Sequence, residues 1–144
     1  MAGASHYTLP RPEFDKPVKL LIVVAPYYKD IADELIAGAK AEIEAAGATW
    51  DLVEMPGALE IPTAIGISER MSNFDGYVAL GCVIRGETTH YETVCTDSSR
   101  ALQLMGLQGL CIGNAILTVE TRAQAEVRAD PAGSARTSAC ARVS

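Results

Sequence analysis

The sequence has 144 residues and a formal net charge of −6, with 49% hydrophobic and 21% charged residues. This length suits a single domain, and the composition is globular, which excludes a wholly disordered chain. The acidic balance argues against a protein that binds the phosphate backbone of nucleic acids, because such proteins carry a basic face. A small anionic ligand, held by backbone N–H groups or by one arginine, remains compatible with it.

No feature of the chain predicts export or membrane insertion. The first sixteen residues contain no apolar signal segment, and no apolar run reaches the length of about 20 residues that spans a membrane. Cys82, Cys95, Cys111 and Cys140 form no C-x-x-C pair. We therefore expect a cytoplasmic protein with reduced thiols and no metal site.

The hydrophobic pattern alternates between strands and helices along the chain. Residues 1–16, with two prolines, predict an extended arm, and residues 17–133 predict one α/β domain. Four strand–helix repeats indicate a three-layer α/β/α sandwich around a four-stranded parallel sheet, a flavodoxin-like architecture. The predicted elements are, in order, a strand at 18–25, a helix at 30–46 stopped by Gly47, a strand at 49–55, a helix at 61–71, a strand at 76–84, a helix at 89–103, a strand at 110–117 and a helix at 120–128.

Residues 134–144 differ from the rest of the chain. They offer only alanines, one cysteine and one valine as apolar groups, so no wide amphipathic stripe is available. We expect an atypical, disordered tail there, which leaves the sheet one covering helix short.

Ligands of open parallel sheets bind beyond the carboxyl ends of the strands, so the residues that follow each strand are the candidates for a site. Tyr27 follows the first strand and is either a stacking surface for a flat heterocycle or a partly buried loop aromatic. After the second strand, Gly57 is expected to allow unusual dihedral angles, and Glu60 could accept hydrogen bonds from ligand hydroxyls. Asn114 and its neighbours are placed after the fourth strand.

The segment after the third strand is the most informative. Residues 86–89 open a helix, so their backbone N–H groups could hold a phosphate, although Thr88 or Thr89 could equally serve as an ordinary helix cap. His90 lies beside this position and could transfer protons near neutral pH. His6, in the arm, is expected to have no such role.

Several motifs that would indicate other functions are missing from the sequence. It contains no G-x-G-x-x-G after the first strand, no G-x-x-x-x-G-K-[ST] and no G-x-S-x-G. A dinucleotide-binding fold, a P-loop nucleotidase and a serine hydrolase are therefore disfavoured.

Three segments carry a resemblance to a known family. They are GALEIP at 57–62, ALGCVIRGETTHY at 79–91, and ILT at 116–118 followed by Gln124-Ala125 and Arg128-Ala129. With these segments the chain resembles the 6,7-dimethyl-8-ribityllumazine synthase family from about residue 18 to residue 133.

The resemblance implies a transferase of riboflavin biosynthesis that uses no cofactor and no metal. It would condense 5-amino-6-(D-ribitylamino)uracil with 3,4-dihydroxy-2-butanone 4-phosphate to 6,7-dimethyl-8-ribityllumazine, phosphate and water. The residues implied are His90 for proton transfer, Tyr27, Ala58, Leu59, Glu60, Cys82, Val83, Ile84 and Asn114 for substrate binding, and Glu87, Thr88 and Arg128 for phosphate binding.

The resemblance also implies a homo-oligomer, either a pentamer or a pentamer-based shell. In such an assembly Asn114 reaches the site of a neighbouring subunit, and the N-terminal arm adds a strand to an adjoining sheet. Small-molecule substrates and copies of the same chain are then the expected partners, with no nucleic acid and no membrane.

Two alternatives remain open at this point. After residue 133 the family continues with an Asn-Lys-Gly stretch and a long final helix, which residues 134–144 do not match, so the chain could be a catalytically impaired assembly or ligand-binding protein of the same fold. Lower stability would be expected in that case. A flavodoxin-like flavin carrier is disfavoured because residues 26–29 do not resemble a phosphate-binding loop.

Overall fold

The computed structural model describes residues 10–130, in which four strands alternate with four α-helices. The strands are β1 (Lys19–Val24), β2 (Thr49–Glu54), β3 (Gly76–Ile84) and β4 (Ile112–Val119). The helices are α1 (Lys29–Ala45), α2 (Ile61–Met71), α3 (His90–Leu107) and α4 (Arg122–Ala129), and a short 3-10 turn at Ala58–Glu60 precedes α2.

The sheet is parallel throughout, and its strand order is β2-β1-β3-β4. This is the order of flavodoxin-like sheets, in which β2 is added on one side of β1 and β3 is added on the other side. The apolar run that predicted the first strand forms a central strand, so its residues from Leu20 to Val24 are buried on both faces.

Two hydrophobic cores lie on opposite faces of the sheet and confirm the predicted three layers. Ile22 and Leu80 point toward the face covered by α1 and α4, whereas Val23 and Ala79 point toward α2 and α3. Successive side chains of a strand point to opposite faces, which explains how one short strand supplies both cores.

Several boundaries differ from the sequence prediction. α3 continues four residues past the predicted end at 103, through Gly106, and ends shortly before Gly109, whose φ of +96° is not helical. The fourth strand starts later and ends later than predicted, at Ile112 and Val119. α4 starts at Arg122 because Thr121 caps it. Gly47, with φ +79°, follows the end of α1, as predicted.

The predicted arm and tail fall largely outside the described residues. Residues 10–16 contain no helix or strand, and Arg11 forms an ion pair of 3.3 Å with Glu42 on α1. The strand addition by the arm and the disordered tail at 134–144 stay predictions. Within residues 10–130, no helix combines the length and apolar character needed to cross a membrane.

Candidate active site

β3 extends beyond its neighbour β1 and leaves an open edge. The last residue of β1, Val24, pairs with Leu80, whereas the four residues from Gly81 to Ile84 pair only with β4. The Leu80 carbonyl accepts a hydrogen bond of 2.9 Å from the Ala25 N–H, so it points toward β1. Backbone groups alternate along a strand, so those of Cys82 and Ile84 point toward the same side, beyond the end of β1.

A cleft of about 430 Å³ lies at this open edge. This volume is within the range of sites for small organic ligands. The cleft brings together eight of the residues that the sequence singled out, which come from the β1–α1 loop, the turn before α2, the end of β3 and the start of α3. They are Tyr27, Ala58, Leu59, Glu60, Cys82, Val83, Ile84 and His90.

Tyr27 presents an open ring to the cleft. It is 76% exposed and packs edge-on against Tyr28, with the ring centres 5.0 Å apart. The partly buried loop aromatic considered from the sequence is therefore not what the structure contains. Burial raises the pKa of the Tyr28 phenol above its ordinary value.

Gly57 makes room for the carboxylate of Glu60. A Cβ atom at Gly57 would lie 2.9 Å from Glu60 Oε2. The expectation that Gly57 provides unusual dihedral angles is wrong, since its φ of −154° and ψ of 172° are extended and open to any residue. The glycine is needed here because a side chain would occupy the space of the carboxylate.

α3 begins at His90, so residues 86–89 lie just before the helix and not inside it, and they carry N–H groups that are available to a ligand. Thr88 Oγ1 accepts a hydrogen bond of 3.3 Å from the His90 N–H, so Thr88 acts as a local cap. Thr89 occupies the cap position but makes no side-chain capping bond. Within residues 10–130, the N–H groups of Glu87, Thr88 and Thr89 donate to no acceptor. His90, the first residue of α3, follows these groups directly in the chain and lines the cleft.

Asn114 does not lie where the sequence analysis placed it. It is the third residue of β4 and pairs with Ala79, well before the carboxyl end of the strand, because β4 runs on to Val119. Its Oδ1 accepts a hydrogen bond of 3.0 Å from the Ile116 N–H. Asn114 is exposed and does not line the cleft of its own chain.

Arg128, Glu87 and Thr88 also lie outside the lining of the cleft. Arg128 is in the last turn of α4, where its Nη1 donates a hydrogen bond of 3.0 Å to the Gln124 carbonyl. No carboxylate in the described part of the chain forms an ion pair with Arg128. Its positive charge is thus available for an anion.

Five further residues line the cleft, and the sequence analysis assigned a binding role to none of them. They are Ala25, Tyr28, Pro56, Gly57 and Val94. Val94 lies four residues after His90, so the helical repeat places both on one face of α3, and this spacing could have revealed it.

Burial raises the pKa of the Cys82 thiol to about 11, an effect that the nearby charge of Arg122 partly offsets. Among the described residues, no group of three or more potential ligands is arranged to hold a metal ion.

Comparison with known proteins gives a consistent result. The family model for 6,7-dimethyl-8-ribityllumazine synthase matches residues 17–144. A 6,7-dimethyl-8-ribityllumazine synthase of Jannaschia sp. is 61% identical over 130 residues, which cover 90% of this chain and 73% of that protein. The enzyme of the same name from Novosphingobium aromaticivorans is 51% identical, covering 78% of this chain and 81% of its own length. The 6,7-dimethyl-8-ribityllumazine synthase 1 of Rhizobium meliloti is 52% identical, covering 79% of this chain and 78% of its own length. On this evidence, the chain belongs to the 6,7-dimethyl-8-ribityllumazine synthase family.

Proposed function

We propose that the cleft at the open edge of β3 is the place where this chain carries out the reaction of its family. The chain is a transferase of riboflavin biosynthesis, which condenses 5-amino-6-(D-ribitylamino)uracil with 3,4-dihydroxy-2-butanone 4-phosphate to 6,7-dimethyl-8-ribityllumazine. The observation that carries the assignment of the site is the position of His90, which lines the cleft and begins α3, directly after three N–H groups that have no acceptor within residues 10–130.

The ribityl-bearing pyrimidine occupies the cleft in this proposal. Its ring stacks on the exposed face of Tyr27, and its polar edge meets the backbone groups of Cys82 and Ile84 that have no partner on β1. Glu60 accepts hydrogen bonds from ribityl hydroxyls. The apolar walls are side chains of the two segments that flank the ring, namely Ala58, Leu59 and Val83.

The phosphate of the second substrate lies at the first turn of α3. The N–H groups of Glu87 and Thr88 donate to it, and the partial positive charge at the start of the helix favours an anion. Arg128, whose charge is not neutralised by a carboxylate of residues 10–130, balances the phosphate charge as it leaves.

His90 moves the protons of the reaction. The amino group of the pyrimidine attacks the ketone carbonyl, and the resulting carbinolamine loses water to form a Schiff base. Loss of the proton from the hydroxyl-bearing carbon then expels phosphate, which leaves with the electron pair of its C–O bond, and the resulting enol tautomerises to a ketone. The ribitylamino nitrogen attacks this carbonyl, and loss of a second water closes the ring. Each step takes a proton from nitrogen or carbon or gives one to oxygen, and an imidazole side chain can do both. Holding both substrates in one cleft supplies the remaining acceleration.

A homo-oligomer, as a pentamer or a pentamer-based shell, is part of the same proposal. Asn114 lies away from the cleft of its own chain, as expected if it contributes to the site of a neighbour. Large apolar side chains exposed on α2 and α3 also favour burial between subunits; they are Ile67, Met71, Leu104 and Leu107. The free thiols of Cys82, Cys95 and Cys111 are compatible with the cytoplasm as the site of the reaction.

The test is product formation by the purified chain with both substrates, followed by the absorbance and fluorescence of the lumazine. His90→Ala is expected to lower kcat by about 10²–10⁴-fold, the usual contribution of a proton-transferring side chain. His6→Ala, which removes the other histidine of the chain, serves as the matched control and should retain wild-type turnover.

Two outcomes would contradict the proposal. Wild-type protein without turnover above the uncatalysed background would favour the alternative of an impaired assembly or ligand-binding protein. Full activity in His90→Ala would show that the reaction takes place elsewhere on the molecule or without this histidine.

A further inference from the structure

Arg85 connects three parts of the molecule through its side chain. It is the first residue after β3, and its Nη1 forms an ion pair with Glu92 in the first turn of α3. Its Nε donates to Glu120 Oε1 at 3.1 Å, just beyond the end of β4. The guanidinium also stacks on Tyr91, 4.5 Å from the centre of the ring. One planar cation thus joins the end of β3, the start of α3 and the end of β4.

The loop between Arg85 and His90 has little lateral support of its own. All residues from Gly86 to His90 are exposed, and a Cβ atom at Gly86 would have no atom of residues 10–130 within 4 Å. The position of this loop therefore depends on its two ends. Arg85 forms one end, and its side chain binds Tyr91 and Glu92 at the other end.

A chain of hydrogen bonds continues from Arg85 to Arg128. Glu120, whose carboxylate binds Arg85, donates its backbone N–H to Gln124 Oε1 at 2.9 Å. Gln124 in turn accepts a hydrogen bond from Arg128 Nη1 on its carbonyl, at 3.0 Å. The two halves of the proposed phosphate site, namely the loop before α3 and Arg128 on α4, are linked in this way.

Arg85 is poorly suited to bind phosphate itself. Its guanidinium is engaged by two carboxylates, so the group formed by Arg85, Glu92 and Glu120 has a net negative charge. Exposed ion pairs of this kind contribute little to the stability of the whole fold. Their effect is expected to be local, on where the loop and α4 lie relative to each other.

We propose that Arg85 is a positioning residue for the phosphate-bearing substrate. It fixes the N–H groups of residues 87–89 and His90 at one side of the phosphate and Arg128 at the other. This inference rests on the proposed function and adds a residue that acts through its neighbours, without contact with either substrate.

The experiment is steady-state kinetics of Arg85→Gln, with each substrate varied in turn. The KM for the butanone phosphate should rise about tenfold, because displacement of a binding group by a fraction of an ångström is costly. The KM for the ribitylaminouracil should stay within about twofold of the wild-type value, since its contacts lie in the cleft. Arg85→Lys should reverse only part of this increase in KM. Its ammonium group keeps the positive charge, but it cannot bind two carboxylates at once as the planar guanidinium does.

Arg100→Gln is the matched control, because Arg100 is an exposed arginine on α3, the helix that follows the loop, and forms no ion pair within residues 10–130. It should show wild-type kinetic parameters. Glu120→Gln weakens the contact between Arg85 and Glu120 without removing Arg85. This variant should also raise the KM for the butanone phosphate. It tests the positioning role if Arg85→Gln fails to fold.

Unchanged kinetic parameters in folded Arg85→Gln, or equal KM increases for both substrates, would overturn the positioning role. Failure of the proposed function is a separate result, because it would appear as absent turnover in the wild-type protein.

Discussion

The pair formed by Gly57 and Glu60 shows how a missing side chain shapes the cleft. The backbone of Gly57 is extended, so alanine can adopt it without strain, but the added Cβ atom would lie 2.9 Å from the Glu60 carboxylate. The end of a glutamate side chain is flexible and moves at little cost. We therefore expect alanine at this position to displace the carboxylate while leaving the fold intact.

Gly57→Ala should raise the KM for 5-amino-6-(D-ribitylamino)uracil about fivefold, which corresponds to one hydrogen bond worth about 1 kcal/mol. The free energy of unfolding should change by less than about 0.5 kcal/mol. Steady-state kinetics and urea unfolding measure the two quantities. Gly106→Ala is the control, because a Cβ atom there meets nothing within 4 Å. An unchanged KM in folded Gly57→Ala would contradict a role for the Glu60 carboxylate in binding.

Single residues differ in how well the sequence located them. Tyr27, Glu60 and His90 belong to the segments that come after the first three predicted strands, so the rule that parallel sheets bind ligands at their carboxyl edge was enough to bring them together. Asn114 was misplaced because it lies inside the predicted strand at 110–117, as it does inside β4, and so could not follow that strand. The link from Arg85 to Glu120 joins residues 35 positions apart, and no sequence pattern indicates it.

At the scale of elements, α4 is the helix that depends most on its cap. It has eight residues and buries only Ala125 and Ala129, and such short helices are marginal without support. Thr121 Oγ1 accepts a hydrogen bond of 3.3 Å from the Gln124 N–H, while the Gln124 side chain accepts one from the Glu120 N–H. This arrangement is close to a capping box, shifted by one residue on one side.

Thr121→Ala should lower the free energy of unfolding by about 1 kcal/mol, since the cap hydrogen bond is lost and the first turn of α4 frays. Urea unfolding measures this free energy. The protomer concentration is kept fixed, because association of subunits would otherwise contribute to the apparent stability. Thr63→Ala provides the comparison: Thr63 is exposed on α2, and its side chain makes no hydrogen bond within residues 10–130. Equal stability of both variants would show that the cap is not required.

The elements themselves could be predicted better than their ends. Long apolar runs and helical repeats identify all four strands and all four α-helices in their correct order. The overhang of β3 beyond β1 could not be foreseen, because it depends on the register between strands, which the sequence pattern leaves open. That overhang exposes the backbone edge of Cys82–Ile84 and so creates one wall of the cleft.

At the scale of the whole molecule, the strand order explains where the cleft lies. The chain turns to opposite sides of β1 on its way to β2 and to β3, so the loops that follow β1 and β3 diverge and leave a crevice between them. The alternation of strands and helices predicted the three layers but not this order. The N-terminal arm, the tail at 134–144 and the assembly of subunits stay predictions, and the first two lie largely outside the described residues.

A crystal structure with bound 6,7-dimethyl-8-ribityllumazine would show directly whether this cleft is the active site. We expect the ring to lie on Tyr27 beside the open edge of β3, the ribityl chain to reach Glu60, and His90 to face the reacting atoms. Product bound at another place, such as the acidic hollow between α1 and α4 near Asp30 and Glu126, would contradict the claim that this cleft is the active site.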